Sequence, residues 1–206
     1  MLRRNISDSL RAALSDTPVV LLNGARQTGK TTLARSLAKE RSIPFYTLDD
    51  IATLSAAAED PVGFLRGLGH AAVIDEVQKV PALLPAIKAD VDRNRKPGRF
   101  LLTGSANVFM LPKLSESLAG RMEIVTLWPF SQGELHRDRD RFIDCIFSSQ
   151  LPDLSREKPA DRDYDKILVR GGFPETLQRT SASRLDVWFR SYVTAIVQKD
   201  IRDLAS

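Results

Sequence analysis

Gly24-Ala25-Arg26-Gln27-Thr28-Gly29-Lys30-Thr31 places glycine at its first and sixth positions, then lysine and threonine. That is the spacing of a phosphate-binding P-loop, the Walker A pattern, at every fixed position. Glycines let the backbone wrap so that its N–H groups point inward at phosphate oxygens. A helix starting near Lys30 adds the positive end of its dipole. The Lys30 ammonium is suited to the β- and γ-phosphates, and the Thr31 hydroxyl to Mg²⁺ bridging them. The expected ligands are therefore ATP or ADP with Mg²⁺, held by Gly24, Ala25, Arg26, Gln27, Thr28, Gly29, Lys30, Thr31 and Thr32.

Ala71-Ala72-Val73-Ile74-Asp75-Glu76 is an apolar run that ends in two carboxylates, the Walker B arrangement. Asp75 is suited to the Mg²⁺ shell. Glu76, one residue on, points differently and can orient or deprotonate an attacking water. An acidic neighbour of that kind favours hydrolysis over mere nucleotide sensing. Leu101-Leu102-Thr103-Gly104-Ser105-Ala106-Asn107 ends a further apolar run in polar residues. Ser105 is expected to sense the γ-phosphate, with Thr103 and Asn107 as options. Arg121, in Leu118-Ala119-Gly120-Arg121, is a candidate to stabilise the transition state, within the chain or across a subunit interface.

These groups need elements to carry them. Val19-Val20-Leu21-Leu22 after Pro18 reads as a strand buried on both faces, the kind found in parallel sheets. Phe45–Leu48, Ala71–Ile74, Phe100–Leu102 and Ile124–Leu127 read as four more strands. Helical spacing of apolar residues marks Thr31–Glu40, Ile51–Ala58 and Pro81–Asn94, and a short helix with Leu10, Ala13 and Leu14 that Ser7 and Asp8 can cap. Strands alternating with helices across 18–128 predict an α/β fold with a mostly parallel sheet covered on both faces. Functional groups then gather at the carboxyl ends of the strands.

Past Phe130 the pattern changes. His136–Asp140 is highly charged, Pro152–Asp165 reads as a loop, and Gly171-Gly172-Phe173-Pro174 as a turn. Leu185 to Leu204 is a helical pattern whose stripe, including Trp188, Phe189, Tyr192, Val193 and Val197, is too apolar to face water. Those aromatics suit packing better than base stacking. The helix has no terminating glycine or proline, so the 206 residues are expected to be the N-terminal part of a longer protein.

Composition is that of an ordinary globular domain, 43% hydrophobic and 27% charged, which excludes wholesale disorder. A net charge of +4 is compatible with a polyanion but is met by nucleotide phosphates alone. The single cysteine, Cys145, excludes an intramolecular disulfide. His70 and His136 have no partners in sequence that would make them catalytic. With no apolar leader and no spanning segment, the expected location is cytoplasmic, away from membranes.

Taken in order, Gly24–Leu33, Ile74-Asp75-Glu76-Val77-Gln78, Leu102-Thr103-Gly104-Ser105-Ala106, Leu118–Arg121, Leu127-Trp128-Pro129-Phe130-Ser131 and Gly171-Gly172-Phe173-Pro174-Glu175 resemble the prokaryotic AAA-like ATPases of the AAA_14 group that carry a C-terminal DUF4143 domain. The resemblance implies an AAA+-like P-loop NTPase fold of the additional-strand class, with a five-stranded sheet followed by a small helical region. It implies residues 1–130 as the ATPase domain and 131–206 as a loop and helical region leading into a C-terminal domain absent from this chain. It implies Glu76 as the catalytic glutamate and Arg121 as an arginine finger. Where the family tends to have Arg-Asp-Ile, this chain has Lys199-Asp200-Ile201.

The leading expectation is an ATPase whose hydrolysis drives a conformational change in itself or a partner. The alternative is a slow nucleotide-gated switch acting on DNA or a protein partner, engaged through the C-terminal part; a homo-oligomer is compatible with both. A small-molecule kinase would need an arginine-bearing lid. Arg137–Arg141 is the only such stretch, and the Asp75-Glu76 pair argues against that reading.

Overall fold

A parallel sheet forms the centre of the first part of the chain, and its strand order follows from which segments are apolar on both sides. In the computed structural model, which describes residues 2–105, 118–138, 142–148 and 163–205, β1 (Val19–Gly24) is buried along its whole length. Val19 and Leu21 face one core, Val20 and Leu22 the other, as the two-residue period of a strand requires. β2 (Phe45–Thr47), β3 (Ala72–Asp75), β4 (Phe100–Ser105) and β5 (Met122–Thr126) complete a five-stranded sheet in the order β2-β3-β4-β1-β5, every pairing parallel. β4 thus sits between the strand ending in the glycine-rich turn and the strand ending in Asp75. That is the additional-strand arrangement of an AAA+-like fold.

Helices cover both faces. α1 (Ser7–Asp16) and α2 (Lys30–Glu40) bury Leu10, Leu14, Leu33 and Leu37 on one side. α3 (Ile51–Glu59), α4 (Pro61–Gly67) and α5 (Leu83–Arg93) bury Ala57, Leu65, Leu84 and Ile87 on the other. Each fully buried leucine or isoleucine contributes roughly 1.5–3 kcal/mol relative to exposure.

The structure corrects several details. The residue before α1 is Ile6 and makes no side-chain cap; Ser7 lies inside the helix and is buried. α4 was not anticipated, although Asp60-Pro61 announces it: the Asp60 carboxylate accepts from Gly63 N–H at 2.8 Å, and proline fits the first helical turn. β1 and β4 run further than their apolar cores, because the pairing continues through Asn23↔Gly104 to Gly24↔Ser105. Parallel hydrogen bonding, not hydrophobicity, sets those ends.

The chain divides into compact units 1–128 and 129–206. The second is helical: α6 (Gln132–His136), α7 (Phe142–Ile146), α8 (Tyr164–Arg170), α9 (Pro174–Leu177) and α10 (Ala182–Ala205). Ser131 and Glu134 form a capping box that starts α6. Gly172 is required where it stands, since a Cβ there would lie 2.0 Å from the Phe130 carbonyl oxygen. Phe173, Trp188, Phe189 and Tyr192 pack together, with Trp188 and Tyr192 stacked at 5.0 Å. Val193 and Val197 of α10 are about half exposed, so the apolar stripe is only partly covered. The loop expected at Pro152–Asp165 lies mostly outside the described residues, and so does Asn107. No helix among the described residues is long and apolar enough to cross a membrane.

Candidate nucleotide site

The glycine-rich turn connects β1 to α2. Gly24 must be glycine, because a Cβ would meet the Leu127 carbonyl oxygen at 2.3 Å. Gly29 sits at φ +99° just before α2, and Gln27 is left-handed at φ 61°. Thr28 is fully buried, its hydroxyl donating to the Ala25 carbonyl at 2.9 Å. Lys30, only 5% exposed, donates through Nζ to the carbonyls of Gly24 (2.9 Å) and Ala25 (2.8 Å). Burial pushes the Lys30 ammonium below the ordinary lysine range; Glu76 and Asp75 partly oppose this, and Arg26 adds to it.

The Asp75 carboxylate lies at the end of β3 and collects hydroxyls from three elements. Thr31, in the first turn of α2, donates to Oδ1 and Oδ2 at 3.0 and 3.2 Å. Thr103 of β4 donates to Oδ1 at 2.5 Å and Thr47 of β2 to Oδ2 at 3.1 Å. The next residue, Glu76, is left-handed (φ 59°, ψ 44°), an uncommon conformation for a side chain with a Cβ. Its N–H donates to the Thr103 hydroxyl at 3.1 Å, and its carboxylate accepts from the Gln78 side-chain amide. Ser105 is buried beside Gly24 in register. Among the described residues its Oγ has no hydrogen-bond partner; neither does the buried Oδ1 of Asn23 on the neighbouring strand.

Residues 16–136 match the AAA_14 family, described as an AAA domain. The chain belongs to that family. Residues 161–206 of this AAA protein match a domain of unknown function, DUF8612; the DUF4143 affiliation expected from the sequence is not what is found. Two curated relatives, the uncharacterized proteins Rv2008c of Mycobacterium tuberculosis and Mb2031c of Mycobacterium bovis, are each 34% identical over 203 residues. The match covers 98% of this chain and 40% of either relative, so the chain spans about two fifths of their length. Among solved structures, the Walker-type ATPase PABY2304 of Pyrococcus abyssi superposes with a TM-score of 0.55 at 17% identity, covering 100% of this chain and 76% of that one. At that identity the likeness shows the fold.

Within the AAA domain, Lys30, Thr31, Asp75, Glu76, Thr103 and Ser105 all come to the carboxyl edge of the sheet. Arg121 does not. It precedes β5, and its carbonyl accepts from Val19 N–H at the opening of β1, roughly 16 Å of strand from Gly24. Its guanidinium is engaged by the Asp92 carboxylate and the Ala119 carbonyl. A role for Arg121 on its own chain's nucleotide is therefore set aside, because the residue lies at the opposite end of the sheet.

Three contributors went unread in the sequence. Thr47 looked like a strand residue before Asp49-Asp50, and only the β2–β3 register (Thr47↔Asp75) reveals its partner. Gln78 stood in a quoted motif without a role. Arg4 lay in a polar lead-in, with no local signal that it folds back under the loop.

Proposed function

We propose that this AAA domain binds ATP with Mg²⁺ and hydrolyses it, using the energy for a conformational change in itself or a partner. The observation that carries the reading is the Thr31–Asp75 contact. A hydroxyl at the start of α2 and a carboxylate at the end of β3 meet directly, beside a buried lysine and next to a second carboxylate. The donor set fits a hard divalent cation, which prefers oxygen ligands. Thr31 and Asp75 would hold it, Asp75 directly or through water, and when bound it neutralises charge on the β- and γ-phosphates.

Lys30 exchanges its two loop carbonyls for phosphate oxygens, a charged acceptor that offsets the cost of burying its ammonium. Backbone N–H groups of Arg26 to Thr31 would serve the phosphates of a bound nucleotide. The buried Ser105 hydroxyl, free to donate, suits a γ-phosphate oxygen, and the buried Asn23 Oδ1, an acceptor, suits the attacking water. Glu76 takes the proton of that water once it releases Gln78. Arg121 acts, in this reading, only on the nucleotide of another copy, which makes a homo-oligomer part of the proposal.

Steady-state phosphate release tests the chemistry. Glu76→Gln is expected to lower turnover on the order of a hundredfold while ADP still binds. Equal turnover in wild type and variant would remove the hydrolysis claim.

A second reading rests on the Gln78 contact. With the Glu76 carboxylate already held by the Gln78 amide, hydrolysis can be slow and the bound nucleotide long-lived. The domain would then serve as a nucleotide-gated switch for a DNA or protein partner. Tight ADP binding with turnover that rises on Gln78→Ala favours that version.

A further inference from the structure

Arg4 is 5% exposed and reaches the phosphate loop from behind. One guanidinium nitrogen, Nη1, donates to the Thr28 carbonyl at 3.0 Å, while Nη2 donates to the carbonyl of Trp128, the last residue of the first compact unit. The same Nη1 lies 3.8 Å from where a Cβ on Gly29 would stand, so the guanidinium sits against the loop's final turn. In a trans peptide the carbonyl and the following N–H point in opposite directions. Fixing the Thr28 carbonyl on Arg4 therefore turns the Gly29 N–H away from Arg4. A fully buried Thr28 leaves that peptide little freedom to flip.

We propose that Arg4 is a positioning residue of the phosphate loop: it presets the Thr28–Gly29 peptide so that the Gly29 N–H faces the β-phosphate, and it ties the loop to the chain at Trp128. The forked, planar guanidinium matters because its two Nη groups reach carbonyls on separate segments, Thr28 and Trp128, in a fixed geometry that one ammonium on a flexible stem does not reproduce. Its charge, held behind the loop in a water-poor setting, also favours an anion in front of it. The phosphate subsite, and not the base or ribose, is what Arg4 supports. This inference rests on the nucleotide reading above.

The test is calorimetric binding of Mg-ADP and of inorganic pyrophosphate to wild type, Arg4→Ala and Arg4→Lys. Arg4→Ala is expected to weaken both ligands by about tenfold, the scale of one lost charge-assisted contact. Arg4→Lys, which keeps the charge and loses the fork, is expected to recover only part of that. A general loss of structural integrity would not strike ADP and pyrophosphate by the same factor while circular dichroism stays unchanged. Loss of ADP affinity with pyrophosphate unaffected would move Arg4 to the base or ribose and overturn the proposal. Equal affinities in all three proteins would overturn it too, as would full recovery in Arg4→Lys. If Arg4→Ala does not fold, hydrogen exchange on wild type decides: ADP must slow exchange across residues 2–6, and no change there overturns the tie. Wild type that binds neither ligand would instead sink the nucleotide reading, and this inference with it.

Discussion

The two ends of the central sheet treat charge in opposite ways. At the amino edge the polar groups complete one another. Arg99, nearly buried, pairs with Asp90 at 2.9 Å, donates to the Gly69 carbonyl at 2.7 Å and stacks on Phe100. Arg121 pairs with Asp92, and Arg95 donates to the Gly120 carbonyl. At the carboxyl edge a buried lysine has only neutral carbonyls, three hydroxyls crowd one carboxylate, and the oxygens of Asn23 and Ser105 have no partner among the described residues. A buried polar group without a partner costs roughly 1–3 kcal/mol. The carboxyl edge thus departs from the pairing that the amino edge obeys.

The sharpest way to break that contrast is a crossed pair of substitutions. Lys30→Ala is expected to weaken Mg-ADP on the order of a hundredfold, the scale of two charge-assisted hydrogen bonds, with little loss of folding stability. Arg99→Ala is expected to do the reverse. It leaves Asp90 and the Gly69 carbonyl without their partner and lowers stability by about 2–3 kcal/mol, with ADP affinity unchanged. Calorimetry and denaturant unfolding on both variants read all four numbers. If Arg99→Ala costs affinity as much as Lys30→Ala does, the two edges are coupled and the division fails.

A smaller effect sharpens the carboxyl edge itself. In the proposed cation site Thr31 would leave Asp75 for the metal, and Thr47 and Thr103 would then hold the carboxylate in place. Thr47→Val keeps the volume and removes the hydroxyl. The Mg²⁺ concentration for half-maximal ATP binding should rise several-fold, about 1 kcal/mol, while ADP binding without Mg²⁺ stays the same. Thr103→Val should behave alike but also unsettle the Glu76 N–H, which donates to the same hydroxyl. Parallel losses with and without Mg²⁺ would show that Thr47 serves the fold and not the cation.

These residues also show what the sequence discloses. Loop and strand chemistry was legible because it is local: glycine, lysine and threonine at fixed spacing, or an apolar run closed by Asp75-Glu76. The parallel sheet was legible because Val19–Leu22 and Ala72–Ile74 are apolar on both sides. Thr47 was not legible, since its role depends on β2–β3 register, and register is a property of the assembled sheet. Arg4 was hidden by separation, as it stands 24 positions before Thr28. The edge that Arg121 joins is also a matter of order: it stands just before β5, and in a parallel sheet the residues that precede a strand lie at the amino edge. α4 is different: Asp60-Pro61 is a sufficient local signal, although the helix is short and docks through Leu65 and the partly buried Phe64.

The finest test of the contrast is pH, because it acts on one ammonium. Burial holds Lys30 below the ordinary lysine value of about 10.4 when no phosphate is present. In the window between its folded value and that ordinary value the unfolded chain binds more protons than the folded one. Lys30's contribution to stability therefore improves as pH rises through the window. The stability advantage of Lys30→Met over wild type should accordingly shrink as pH rises. Nucleotide affinity should run the other way. A phosphate favours the charged ammonium, so ADP binding must weaken in the same window, where a solvent-exposed lysine would still be mostly protonated. Opposite slopes for stability and affinity in wild type, both absent in Lys30→Met, place the titration on Lys30. Slopes of the same sign would mean that other groups dominate this window, and that the carboxyl edge does not hold its cation at a cost.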